Sequence, residues 1–141
     1  IIGLADDKDV AKVILSQTRN QSCVDLTGYT KTIRELMIIF HFAALLITND
    51  GGPGHFAAMT PIPSMIFYGP ETPTLYGAMN ETAVNYYLNF SCSPCVTAYN
   101  HRKSPCDGDN LCLKNIQPEK VLARAIEILE GEMFEKNAQN P

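Results

Sequence analysis

The stretch Leu45–Pro73, LLITNDGGPGHFAAMTPIPSMIFYGPETP, decides how the chain folds. The apolar run Ala43–Thr48 has the composition of a strand buried on both faces. It stops at Asn49-Asp50. Gly51 and Gly52 follow, then Pro53, and the residues Gly54 to Met59 suit a short helix. Gly51 and Gly52 tolerate positive φ and let a ligand approach the bare backbone. Asp50 is a good N-cap, and Pro53 suits the first helical position, where its missing N–H has no partner to lose. The expected product is a strand, a tight turn and a helix start with outward N–H groups, which attracts anions such as phosphate. His55 falls in the first turn, within reach of the same anion. A plain glycine loop and a surface histidine are the competing readings, because short glycine motifs match by accident. A second apolar run, Ser64–Tyr68, leads to another turn at Gly69-Pro70.

The regions on either side extend the pattern. Ile1–Leu4 reads as the end of a buried strand, and Cys23–Leu26 as a short second strand. Asp6–Gln17 carries Val10, Val13, Ile14 and Gln17 at helical spacing, with Asp6 and Asp7 placed to favour the dipole. Thr30–Phe42 reads as a helix with Ile33, Leu36, Met37, Phe40 and Ala44 on one face and Thr30 or Thr32 as cap. Strand–helix alternation with short connections predicts a parallel α/β sheet with ligand loops at the C-terminal strand ends. Gly3–Asp7, Gly28-Tyr29 and the Asp50 turn all follow predicted strands and are expected to meet on one sheet edge. Tyr86–Phe90 reads as a last strand. Pro118 opens a closing helix with Val121, Leu122, Ala125, Ile128 and Leu129 on its buried face, fraying from Glu132 onward.

Several motifs match glycosyltransferase family 9, the lipopolysaccharide heptosyltransferases and their relatives. In that family a strand ends in Asp-Thr/Ser-Gly, two residues intervene and His-x-Ala-Ala follows. A strand and Gly-Pro-Thr-Asp-Pro come next. Here the matching residues are Asp50, Gly52, His55, Ala57 and Ala58, then Phe67-Tyr68-Gly69-Pro70 with Thr72 and Pro73. Val24–Gly28 with Ile33-Arg34-Glu35-Leu36 resembles an upstream family segment. Cys92-Ser93-Pro94-Cys95, Cys106, Cys112 and Ile116–Val121 resemble a cysteine-bearing tail of many members. The sequence departs from the pattern at Gly51, normally Thr or Ser, which removes a hydroxyl worth ~1 kcal/mol to a phosphate oxygen. Gly54 weakens a helix start by up to ~1 kcal/mol.

The resemblance implies the Rossmann-like, C-terminal, donor-binding half of a GT-B glycosyltransferase, lacking its first strand. Residues 1–73 would form the α/β core, 74–117 a loop-rich cysteine segment and 118–137 the closing helix. It implies a nucleotide diphosphate sugar as donor, held by Asp50, Gly51, Gly52 and His55. The acidic residue that holds the ribose would be Asp7, with Asp6 as alternative and a helix cap as the plain reading. Tyr29 would flank the base or simply pack. The family's catalytic base lies in an N-terminal domain, which also engages a glycan or lipid-linked acceptor. Catalysis would need no cofactor, and the enzyme would be cytoplasmic, at the inner face of the membrane.

Composition bounds these readings. The 141 residues suit one domain with a real core. A net charge of −4 offers no basic field for nucleic acid. Leu36–Ile47 is too short to span a bilayer, which leaves peripheral membrane association open to a longer enzyme. The chain opens on Ile1-Ile2-Gly3-Leu4 without a methionine. It therefore reads as a piece of a longer protein. Cys92, Cys95, Cys106 and Cys112 suit a structural tetrahedral zinc, with disulfides, an iron–sulfur cluster or reduced thiols as alternatives. A thioredoxin-type role for Cys92-Ser93-Pro94-Cys95 lacks its strand–helix setting. His101, Arg102 and Lys103 make a locally basic loop. Asp107-Gly108-Asp109 imitates a metal motif of another glycosyltransferase fold and reads as a turn.

Overall fold

A computed structural model describes residues 1–96 and 104–138. The His101-Arg102-Lys103 loop therefore lies outside the described residues. Two compact units divide the chain, Ile1–Ile39 and Phe40–Pro141.

The first unit begins with an extended segment, a 3-10 turn at Ala5–Asp7 and helix α1, Lys8–Gln17. The Ile1–Leu4 segment runs beside Val24–Gly28. The Ile1 amino group donates to Val24 O at 2.7 Å. Leu26 N donates to Ile1 O and Gly28 N to Gly3 O, each at 2.8 Å. These bonds resemble a parallel ladder, but neither segment is a strand. The expectation of a buried strand is corrected here: Leu4 is 76% exposed, and Val24 is exposed too. Two extended segments present no face wide enough to exclude water. On α1 the predicted apolar positions Val10, Val13 and Ile14 are exposed, and Ala11 is the buried one. Helix α2, Ile33–Phe42, begins at Thr32 as one of the two predicted caps requires. Thr32 Oγ1 accepts from Glu35 N at 3.2 Å while a Glu35 carboxylate oxygen accepts from Thr32 N at 3.0 Å, a reciprocal capping box. Phe40, near the far end of α2, is 1% exposed.

The second unit holds the sheet. Strands β1 (Leu46–Asn49), β2 (Ser64–Tyr68) and β3 (Ala83–Tyr87) lie in that spatial order, all parallel. Helices α3 (Gly52–Ala57) and α4 (Pro73–Tyr76) occupy the β1–β2 and β2–β3 connections. The third strand starts three residues before the predicted Tyr86, because Ala83–Tyr87 pairs in register with Ser64–Tyr68. Strand β2 is central, and Ser64, Met65, Ile66 and Tyr68 are fully buried. Strand β1 lies at an edge of this sheet, and it is not covered on both faces as its composition suggested. Leu46 is buried but Ile47 is 48% exposed. Ile47 lines an apolar hollow of about 410 Å³ with Phe67, Leu113, Ile116, Val121 and Leu122.

After β3 come α5 (Leu111–Lys114) and α6 (Pro118–Ala138). Ala125 is buried on α6, whereas Leu122 and Leu129 are exposed, against the predicted buried stripe. The α6 backbone also stays helical to Ala138 instead of fraying from Glu132, since Glu, Met and Lys are strong helix formers. Among the described residues no helix is long and apolar enough to cross a membrane.

Candidate functional site

Asp50 leaves the end of β1 with its N–H donating to Phe67 O at 2.9 Å, the last rung of the β1–β2 ladder. Gly51 takes φ 157° and ψ −171° and stands at the N-cap of α3. That backbone region is essentially restricted to glycine. The Asp50 side chain is therefore not the cap that the sequence suggested; no side chain caps α3, and Pro53 follows Gly52 within its first two positions. With Gly51 at the N-cap, the helix begins at Gly52, two residues earlier than predicted. Gly54 is explained by space: a Cβ there would lie 2.9 Å from Ile66 Cδ1 and 3.7 Å from Thr48 Cγ2. The small residue lets α3 lie directly on the sheet.

Because β1 and β2 are parallel neighbours with Asn49 opposite Phe67, the turns after them leave the sheet along the same edge. Together they wall a cleft of about 560 Å³. Its lining includes Asn49, Asp50, Gly51, Gly52 and His55 from the first turn and α3, and Gly69, Pro70, Glu71 and Tyr76 from the second. Four of the predicted donor residues thus share one cavity. Glu71 and Tyr76 were missed, although the rule that ligand loops follow parallel strands applies to the turn after β2 as well.

The cysteine segment builds the back of this wall. Ser93 is 8% exposed, and its hydroxyl donates to Gly69 O at 2.7 Å and meets the Tyr87 hydroxyl at 3.2 Å. Cys95 N and Val96 N both donate to Pro70 O, at 2.9 and 3.0 Å. A Cβ on Gly69 would come within 2.7 Å of Leu113 Cγ and 3.2 Å of Cys112 Sγ. Below the turn, burial raises the Tyr68 hydroxyl above its usual range; the Ala78 N–H opposes this and the Asp50 charge adds to it.

The thiols have distinct settings. Ser104 Oγ lies 3.0 Å from Cys106 Sγ and 3.8 Å from Cys95 Sγ. The Ser104 hydroxyl, then the N–H groups of Asn110, Gly108 and Asp109, hold Cys106 below the usual thiol range. Those amides come from a turn in which Asp107, Gly108 and Asn110 all have positive φ. Burial pushes Cys112 up. Among the described residues no three His, Cys, Asp or Glu side chains could hold a metal ion together.

Asp7 and Tyr29 belong to the first unit. A carboxylate oxygen of Asp7 accepts from Leu4 N at 2.7 Å and so closes the turn before α1. Tyr29 is 71% exposed.

The profile of glycosyltransferase family 9 (heptosyltransferase) matches residues 2–104. The chain belongs to glycosyltransferase family 9. Lipooligosaccharide heptosyltransferase 2 of Campylobacter jejuni is 32% identical over 101 residues, which is 71% of this chain and 30% of that protein. Lipopolysaccharide heptosyltransferase 2 of Salmonella typhimurium is 25% identical over 137 residues, 94% of this chain and 37% of that protein. The chain thus spans about a third of the relatives it matches. Its fold is that of E. coli ADP-heptose lps heptosyltransferase II, at a TM-score of 0.75 and 24% identity over 94% of this chain and 36% of that one. The glycosyl transferase family 9 structure from Veillonella parvula matches at 0.71 with 23% identity, covering 92% of this chain and 36% of that one.

Proposed function

We propose that this family 9 chain is the donor-binding half of an inverting glycosyltransferase. It would transfer a heptose-like sugar from a nucleotide diphosphate sugar to a lipopolysaccharide-type or other glycan acceptor. The observation that carries the reading is the cleft at the ends of β1 and β2, which gathers the family's Asp50, Gly52 and His55 in one cavity. In such a transfer an acceptor hydroxyl attacks the anomeric carbon, the bond to the diphosphate oxygen breaks, and the nucleotide diphosphate leaves with the electron pair. The chain's task is to hold that departing charge. Backbone N–H groups of the Gly51-Gly52 turn and the His55 ring are the donors available for it, and aligned donors stabilise charge that develops as the bond breaks. No catalytic base is assigned to this chain. On this reading it binds donor weakly and does not transfer sugar when isolated.

The second reading is a non-catalytic nucleotide- or phosphate-binding module, favoured by Gly51, which lacks the family hydroxyl. Calorimetric titration with ADP-heptose, the sugar nucleotide in the E. coli neighbour's name, separates the two. Binding that weakens by about tenfold in His55→Ala supports the donor reading. A folded chain that binds neither ADP-heptose nor UDP-sugars ends it.

A further inference from the structure

We propose that Glu71 is the specificity residue for the sugar end of the donor, and that its carboxylate accepts hydrogen bonds from sugar hydroxyls. The inference rests on the donor-binding reading above. The first support is placement. Glu71 follows Gly69-Pro70 in the turn after β2, and it lines the same cleft as the Asp50 turn and His55. The second is anchoring. Residues immediately before it are pinned: Gly69 O accepts the Ser93 hydroxyl, and Pro70 O accepts two N–H groups from Cys95 and Val96. Glu71 itself is half-buried. An acceptor on a held turn loses less freedom when it meets a ligand than one on a loose loop.

The third support is charge. A diphosphate seeks donors, which the glycine turn and His55 offer. A glutamate carboxylate is an acceptor only and repels phosphate at close range. A sugar, by contrast, presents several neutral hydroxyl donors, and a carboxylate is the strongest acceptor a side chain provides for them. The polyol then lies against Glu71, and the phosphates against the Gly51-Gly52 backbone and His55, in the one cleft.

The test titrates the wild-type chain, Glu71→Gln and Glu71→Asp with ADP-heptose and with ADP, while circular dichroism confirms that each is folded. The reading is the ratio of ADP-heptose affinity to ADP affinity. Glu71→Gln is expected to lower that ratio about tenfold, the loss of one hydrogen bond to a charged group. Glu71→Asp is expected to fall between the two. Should Glu71→Gln not fold, Glu71→Thr is titrated in its place and read in the same way. A ratio that stays within twofold, or an equal fall for both ligands, overturns the role of Glu71 and leaves the donor reading standing. A folded wild-type chain that binds neither ligand overturns both.

Discussion

The two units carry the same alternation of apolar run, turn and helix, and they bury it to very different degrees. In the second unit β2 has a parallel neighbour on each side, and Met65 and Ile66 are at most 1% exposed. In the first unit the extended segments meet through three backbone bonds and leave Leu4, Val24 and most of the α1 apolar face in water. The difference teaches that an apolar run states a demand for cover and does not supply it. Strand pairing satisfies backbone groups one at a time, whereas exclusion of water from a face needs at least a third strand or a packed helix.

Three measurements would break or sharpen that contrast. The largest effect is expected from cavity formation. Met65→Ala should destabilise the second unit by about 3 kcal/mol in urea melts, while Val24→Ala in the first should cost less than about 0.5 kcal/mol. Equal losses would mean that the two units are buried alike. Next comes the turn that the sheet holds in place. Gly51→Thr restores the family hydroxyl, but the φ of 157° is a glycine conformation. The variant should lose about 1–3 kcal/mol of stability and should not gain donor affinity. A tighter-binding, equally stable Gly51→Thr chain would show that the turn is not so held. The smallest effect is one of access. Alkylation followed by mass spectrometry should modify exposed Cys23 of the first unit, and Cys106, before buried Cys112. The sign of the pH dependence follows from thiolate supply. Cys106, held below the usual thiol range, carries more thiolate at any given pH than Cys112, which is pushed up and loses its thiolate first as pH falls. Cys112 reacting as fast as Cys106 at neutral pH would contradict the burial of Cys112.

How much was legible in advance differs from element to element. Strand β2 was readable to the residue, because Ser-Met-Ile-Phe-Tyr sits between Pro63 and Gly69-Pro70, which punctuate it on both sides. A threonine cap was readable, at Thr30 or Thr32; the reciprocal bonds with Glu35, three residues on, select Thr32. Strand β3 was displaced by three residues, since Tyr86-Tyr87-Leu88-Asn89-Phe90 is as apolar as the true strand and only pairing with β2 selects the register. Of the site, Asp50, Gly51, Gly52 and His55 were visible as one local motif. Glu71 and Tyr76 were not, because their place in the cleft depends on the neighbouring strand and not on their own surroundings in the chain.

Local chemistry was enough to settle the kind of protein this is: a parallel α/β fold with a glycine turn after a strand, in the order of motifs that marks glycosyltransferase family 9. Turns, caps and periodicity depend on residues a few positions apart, and these the chain displays openly. Which strand lies at the edge, which apolar faces stay wet, and whether four cysteines converge are questions about contacts between segments distant in sequence. Those contacts depend on pairing and packing, so only the assembled structure decided that β1 is half-exposed, that Ser93 braces Gly69, and that Glu71 faces the same cavity as Asp50.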